Sequence, residues 1–480
     1  MSLSRRSLLS AFAAAGALAA AGPALATEPQ TTWSPGLDNA PAEGFDEAVM
    51  RLVHGRAPRG LEGTHFRNGP GWFRYADSAT GHWFDGDGFV QRFAVADGRA
   101  THAGRFVDTP KRRMEQREQR IIAPGFGTRG APDAPVQGPD DVNAANTSVM
   151  IVGDELWALW EGGSPTRLDP RSLQTIGFNT FRADLAGMPF LAHPKVEPNG
   201  RIWNLGVSGN RAMVWRLSAD GALEDAQVIP LPSRSYIHDW AVTERHLIIP
   251  LQPWLHQRMV APIVDGFEWR GDQPFRVMVL DKNDYSNQRI YELPAMFFFH
   301  TGDAWEDADD TIRFDLCVTP NAQFVSQDAR AMINSHVPQG ESAELVMAVL
   351  HADGRAELQR SGQRGEFPQT DRRRQGLSRD LVAMVDDRTD NRLGVMNWRS
   401  GAYQSYAFGA DQMVQEHLFV PKSGRSGEHE SWLIGATLNA RENATELHVF
   451  DAAAVDDGPV ATWRSPYRAP LGFHSTWRGA

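Results

Sequence analysis

Along most of this chain apolar residues recur at every second position in short runs, and each run stops at a turn signal. Residues 88–95 alternate before Asp97-Gly98, residues 148–152 stop at Gly153-Asp154, and residues 201–205 follow Asn199-Gly200. The same unit returns at 213–217 before Asp220-Gly221, at 276–280 before Asp281 and at 345–350 before Asp353-Gly354. A period of two marks strands with one buried face, and Asp-Gly or Asn-Gly pairs favour tight hairpins. The repeating unit is therefore an antiparallel hairpin without βαβ alternation. Spread over about 400 residues, it predicts a sandwich, a large barrel or a propeller, and a propeller fits best. One segment departs from the pattern: residues 45–53 have the apolar spacing of a short helix. Residues 27–60 are expected to be an extended lead-in and 61–480 a single all-β domain. The stretches 107–145, 251–275 and 319–342 lack the strand pattern. Loops of that length usually carry function, and they are expected to form a dome of loops and short helices over one face.

Composition narrows the function. The net charge of −11 supplies no basic field for nucleic acid, so that partner is not expected. A lone cysteine, Cys317, excludes an intramolecular disulfide and any CxxC site, and its strand-like surroundings predict a small buried hydrophobe. The N-terminus reads Arg5-Arg6, then an Ala/Leu-rich run, then Ala24-Leu25-Ala26. Paired arginines before a short, weakly apolar stretch resemble a twin-arginine export signal, with 1–26 removed and the remainder periplasmic. The stretch is short and weakly hydrophobic for a spanning helix, which needs about 20 strongly apolar residues.

Candidate chemistry rests on histidines with unusual neighbours. His193 precedes Pro194, His238 precedes Asp239-Trp240, His300 ends Met296-Phe297-Phe298-Phe299, and His474 lies in Gly472-Phe473-His474 near the C-terminus. Taken singly, each reads more naturally as a hydrogen-bonded core histidine than as a ligand, and no short metal motif such as HExxH joins them. A propeller changes this, because one inward position from each of several blades can meet on the axis. Two other segments have plainer readings. Asp85-Gly86-Asp87-Gly88 lacks the later ligands of a calcium loop and reads as a structural turn. Residues 111–122, with a local charge of +3, predict an amphipathic, solvated helix.

Phe66-Arg67-Asn68-Gly69-Pro70 and His82-Trp83-Phe84-Asp85-Gly86-Asp87-Gly88 resemble the N-terminal signature of the carotenoid cleavage oxygenases, and Gly472-Phe473-His474 with Trp477 resembles their C-terminal signature. The resemblance extends from about Leu61 to Trp477. It implies a seven-bladed propeller whose axial iron(II) is held by His193, His238, His300 and His474. It also implies three glutamates that hydrogen-bond to three of these histidines. Glu161 and Glu366 fit two of those positions; for the third, aligning Trp432 selects Glu428, with Glu430 as the alternative. Which glutamate orients which histidine stays open.

The function implied is dioxygenase cleavage of a conjugated carbon–carbon double bond, in a carotenoid or apocarotenoid, with O2. An aromatic tunnel is expected, with Phe66, Trp83, Trp160, Phe297 and Phe299 as candidates. Relatives draw lipophilic substrate from membranes through an apolar patch, which makes a transient membrane contact an expectation here. Two alternatives stay open. A branch of the same family cleaves stilbenes and grips the substrate phenol with a tyrosine and a lysine; of Lys111, Lys195, Lys282 and Lys422, only Lys111 lies in roughly the right region. A propeller that binds carotenoid without turnover is the other.

Overall fold

A computed structural model describes residues 34–480, apart from 335, 337 and 387–390. The expected export signal (1–26) and the start of the lead-in lie outside the described residues. Seven antiparallel sheets form the blades of a propeller. Blades 2 to 6 are four-stranded meanders taken in chain order, beginning with the strands Ser148–Val152, Lys195–Val196, Ala241–Val242, Phe297–Glu306 and Glu366–Gln369. These first strands are the inner ones, and from blade 4 round through blades 5, 6, 7 and 1 to blade 2 neighbouring inner strands touch around the axis.

The ring is closed from both ends of the chain. In blade 1 the C-terminal strand Ser475–Gly479 pairs with Gly63–Arg67, forming the inner edge. In blade 7, whose inner strand is Gln412–Pro421, the early strand Arg51–Gly55 adds to the outer edge beside Ala461–Arg464. Residues 45–53 are thus not a helix. They contribute to two edge strands, Phe45–Val49 on blade 1 and Arg51–Gly55 on blade 7. Met50, buried between them, donates its amide to Ala100. So short a helix has little intrinsic stability in water, and edge pairing satisfies the same backbone groups while binding two blades together. The ring accordingly includes residues from Phe45 onward, rather than from 61.

Alternation along the strands produces the core. On Glu344–Leu350 of blade 5, Val346, Ala348 and Leu350 pack toward blade 4, while Leu345 packs toward blade 6. Each of the seven seams between adjacent blades has its own buried apolar cluster. Burying one such side chain contributes about 1.5–3 kcal/mol, so the sum over seven seams favours the closed ring.

The two sequence signatures meet at a single joint. Arg67 Nη2 donates to the carbonyls of Gly472 (2.7 Å) and Phe473 (3.0 Å). Asn68 exchanges backbone hydrogen bonds with Phe473 and His474. A Cβ on Gly472 would lie 2.4 Å from Arg67 Nε, and one on Gly69 would lie 2.4 Å from the Gly472 Cα, so this close approach requires glycine at both positions. His82 and Asp85 anchor the dome. His82 Nε2–H donates to the Val325 carbonyl at 2.8 Å, and Asp85 accepts from the amides of Phe126 and Gly127 and from the Thr128 hydroxyl. The expected structural turn therefore anchors the stretch 107–145, and His82, just before it, ties down the stretch 319–342.

The expected solvated helix is a short helix, α1 (Pro110–Glu118), capped by Thr109 and largely buried on one side. Lys111 Nζ bonds Asp87 Oδ1 at 2.7 Å and Glu115 Oε2 at 2.9 Å; the Arg112 guanidinium pairs with Asp87 and lies 3.5 Å from the Phe106 ring centroid. Burial alone would lower the Lys111 pKa, but the two carboxylates raise it above its usual value. These buried charges come as a matched set, which sequence spacing alone did not reveal.

Four histidines in and beside blades 1 and 7, His65, His102, His417 and His448, are buried, and desolvation lowers each pKa to about 3. In the unfolded chain they titrate near about 6.5, so between pH 6.5 and 3 the unfolded state binds more protons. Their contribution to stability is complete above pH 6.5 and is lost as the pH falls. Urea midpoints measured from pH 7.5 to 4.5 are expected to fall steadily below pH 6.5; a flat profile would show that these side chains are not held neutral.

Candidate metal centre

Each inner strand begins at the same face of the ring. The residues at those starts face one another across the axis. Going round from blade 1 they are His474, Thr147, His193, His238, His300 (inside the blade 5 strand), Glu366 and, inside the blade 7 strand, Glu416. This arrangement explains how histidines separated by 45 to 174 residues come together.

One ligand atom from each of His193, His238, His300 and His474 lies within 4.8 Å of the others. The Nε2 atoms of His193 and His238 are 3.0 Å apart, and those of His238 and His300 3.2 Å apart. A carboxylate cannot donate, so three of the rings must donate Nδ1–H outward. His238 donates to Glu161, His300 to Glu366 at 2.6 Å, and His474 to Glu416 at 3.0 Å. That tautomer leaves an Nε2 lone pair on each of these rings, directed toward a common centre. Converging lone pairs repel unless a cation sits among them. Two cis imidazoles bound at about 2.1 Å would have nitrogens about 3.0 Å apart, matching the two short separations. The donor set fits a borderline metal ion such as iron(II).

Burial, then the other rings and Lys195, lower the His193 pKa well below its usual value. Burial lowers His474 to about 4, with Glu416 opposing it. Burial would raise Glu416, but the hydrogen bond and charge of His474, then Arg67 and Ser475, hold it down at about 2. Near neutral pH the pair is therefore a neutral imidazole on a carboxylate, the form that binds metal.

The third carboxylate is Glu416, not Glu428. Glu428 lies beyond the far end of the blade 7 inner strand, where it accepts the amides of Asp380 (2.9 Å) and Leu381 (3.3 Å) and joins blade 7 to blade 6. Glu430 caps its own turn through Gly427 and pairs with Arg425. The signal for Glu416 was present in the sequence: an acid inside the strand-like run 413–420, where a buried carboxylate needs a partner. Glu428 instead follows a Lys-Ser-Gly-Arg-Ser-Gly turn.

Supporting residues also went unread in the sequence. Asp239 accepts from Lys195 Nζ at 2.8 Å and from the Thr301 amide and hydroxyl, both at 2.8 Å. These three residues lie one or two positions after His238, His193 and His300, so one carboxylate aligns three blades beneath the histidines. On the opposite side, Arg372 of blade 6 donates to Thr476 and to the Ser475 carbonyl of blade 1, and Gln369 donates to Glu416. Phe367, at φ +55°, is held in the left-handed region with its ring centroid 5.0 Å from that of His300.

His238, His300 and His474 open onto a cavity of 330 Å³ lined mainly by apolar surface. Of the expected tunnel aromatics, Trp83, Trp160, Phe297 and Phe299 line it. Phe66 does not; it packs in the seam between blades 1 and 2. The three long loops supply Phe126, His256, Phe267 and Phe324, which confirms the dome's place over this face.

The family model for the retinal pigment epithelial membrane protein matches residues 39–479. The chain belongs to this family, that of the carotenoid cleavage oxygenases. It is 28% identical over 476 residues to the apocarotenoid-15,15'-oxygenase of Synechocystis, covering 93% of this chain and 96% of that one. It is 26% identical to lignostilbene-α,β-dioxygenase isozyme III of Sphingomonas paucimobilis, over 89% of this chain and 93% of the relative. The crystal structure of cobalt-substituted Synechocystis apocarotenoid oxygenase superposes with a TM-score of 0.83 at 26% identity, over 93% of this chain and 98% of the other.

Glu416→Gln is expected to lower metal affinity by about 10–100-fold, as losses of such hydrogen-bond partners do. Glu428→Gln should leave metal affinity within about twofold and affect only stability. Metal titration of both purified variants checks this, and the reverse order would return the role to Glu428.

Proposed function

We propose that this protein is an exported iron(II) dioxygenase that cleaves a conjugated carbon–carbon double bond of a carotenoid or apocarotenoid with O2. The observation that carries the reading is the four-histidine cluster, three of whose members, His238, His300 and His474, line an aromatic cavity. Membership of an oxygenase family and the similarity to an apocarotenoid oxygenase support it.

His193, His238, His300 and His474, as neutral imidazoles, would hold iron(II), which when bound would supply the activation of O2. The chain's own residues do the rest. Glu161, Glu366 and Glu416 fix the tautomers of His238, His300 and His474. Phe84 and Phe299 are stacked with ring centroids 5.6 Å apart, and Phe299 lies 4.0 Å from the His238 ring centroid, giving a polyene a flat surface beside the histidines. The apolar lining excludes water from the double bond. One C=C and one O2 become two C=O groups with no net gain or loss of protons. The cavity therefore needs no separate acid or base.

Stilbene cleavage is the weaker reading. All four lysines are engaged by carboxylates away from the cavity: Lys111 by Asp87 and Glu115, Lys195 by Asp239, Lys282 by Glu197 and Lys422 by Asp451. None lines the cavity to grip a phenol. Beside the cavity, Ile263 (49% exposed), Met259 (85%) and Val260 (41%) form an apolar loop, a suitable place for transient contact with a membrane. No helix among the described residues is long and apolar enough to cross one. The Arg5-Arg6 leader supports export to the periplasm. Export through a cleaved leader would be seen as a periplasmic mass beginning near Thr27, and an unprocessed cytoplasmic chain would contradict it.

Protein prepared without oxygen, loaded with iron(II) and then given O2 is expected to convert apocarotenals to paired carbonyl products, consuming one O2 per cleavage. His300→Ala should abolish both turnover and stoichiometric iron. Cleavage of hydroxystilbenes alone would move the reading to the other branch, and full iron with neither activity would contradict it.

A further inference from the structure

The cavity takes its lining from several blades. At one end it is lined from blade 3 by Val207 and Gly209, with Arg234 and Ser235 on the connection from blade 3 to blade 4. At the other it is lined by Glu341 and Ser342, just before the blade 5 strand Glu344–Leu350, and by Val385 and Asp386 of blade 6. Val385 and Asp386 are three steps from blade 3 in the ring of seven and Glu341 and Ser342 are two steps from it, so the two groups line different sides of the cavity into which His238, His300 and His474 also face.

Only four of the lining residues are exposed: Gly209, Arg234 and Ile263 at the first end, and Glu341 at the second. These positions mark two apertures, and their charges differ. Arg234 has no ion pair or side-chain hydrogen bond among the described residues, and neither has Glu341. Arg234 lies close enough to His256, another lining residue, for its charge to add to burial in lowering the imidazole's pKa. A guanidinium donates only, in a fork that matches carbonyl and carboxylate oxygens, whereas a carboxylate accepts only and repels them.

Resting on the dioxygenase reading above, we infer that Arg234 and Glu341 set substrate class and orientation. The substrate is an amphiphilic polyene, already oxidised at one end, whose terminal carbonyl or carboxylate stays at the Arg234 aperture. Its hydrocarbon body passes the histidines toward Glu341. The reversed orientation would leave the guanidinium unmatched and set the oxygenated end against a carboxylate, so selection comes from both an attraction and a repulsion. The exposed apolar loop at Met259, Val260 and Ile263 suits this arrangement, because the polar end of a membrane amphiphile lies at the lipid surface. A polyene without oxygen gains nothing at either aperture. On this account an oxidative step that introduces the terminal carbonyl must precede this protein's reaction.

Binding can be measured apart from turnover. Trp83 and Trp160 line the cavity, so a bound polyene should quench their fluorescence in metal-free protein kept without O2. The probes are an apocarotenoic acid, the corresponding aldehyde and a polyene hydrocarbon of equal length. Arg234→Gln is expected to raise Kd about five- to tenfold for the acid, about threefold for the aldehyde and less than twofold for the hydrocarbon, as suits a contact at a part-exposed aperture. Arg234→Lys should recover most of the acid affinity, and Glu341→Gln should not weaken acid binding. Equal effects of Arg234→Gln on all three probes, or none on the acid and aldehyde, would overturn the inference. Tight, Arg234-dependent binding without cleavage by iron-loaded protein would instead support the inference and overturn the dioxygenase reading.

Discussion

Neutral imidazoles that turn their lone pairs toward one another repel, and this arrangement holds only if a cation sits at their centre and something outside fixes each ring. The outer half of that requirement is met by three carboxylates taking the Nδ1–H groups of His238, His300 and His474. His193, the fourth, has no such partner among the described residues; the Asp239 carboxylate lies 3.9 Å from its Nδ1 and is occupied by Lys195 and Thr301. Much of the axis follows from this. Asp239 aligns blades 3, 4 and 5, while Glu416, with Arg372, Gln369 and Ser475, aligns blades 6, 7 and 1. The seven apolar seams provide stability, and these two polar networks provide register.

Much of the architecture was legible from the strand period and turn pairs, because a hairpin whose faces alternate leaves a local imprint. The helix expected at 45–53 failed because its apolar residues serve two different sheet edges, a long-range arrangement that local spacing mimics. The helix expected at 111–122 is present as Pro110–Glu118, but one side of it is buried rather than solvated, for a similar reason. Its positive charge is visible in the sequence, but Asp87, which neutralises Lys111 and Arg112, lies 24 and 25 residues away.

The four histidines became readable through the Phe66–Pro70 and Gly472–His474 signatures, and the structure supplies the physical reason that these signatures belong together: Arg67 and Asn68 hold the backbone that presents His474. Glu161 and Glu366 follow recognisable local sequence. Glu416 does not, since the alignment on Trp432 favoured an acid that lies at the opposite end of the inner strand. A carboxylate embedded in a run of buried apolar residues was the better physical signal, because burial there is costly without a partner.

The central claim is that four imidazole nitrogens, and no carboxylate oxygen, hold the metal. X-ray absorption at the iron edge of anaerobically loaded protein tests it most directly. The account predicts four imidazole scatterers at about 2.1 Å, with any further light-atom ligands exchangeable with solvent, and the same imidazole count after Glu416→Gln in whatever iron remains bound. Fewer than four imidazoles, or a carboxylate directly on the metal, would contradict it.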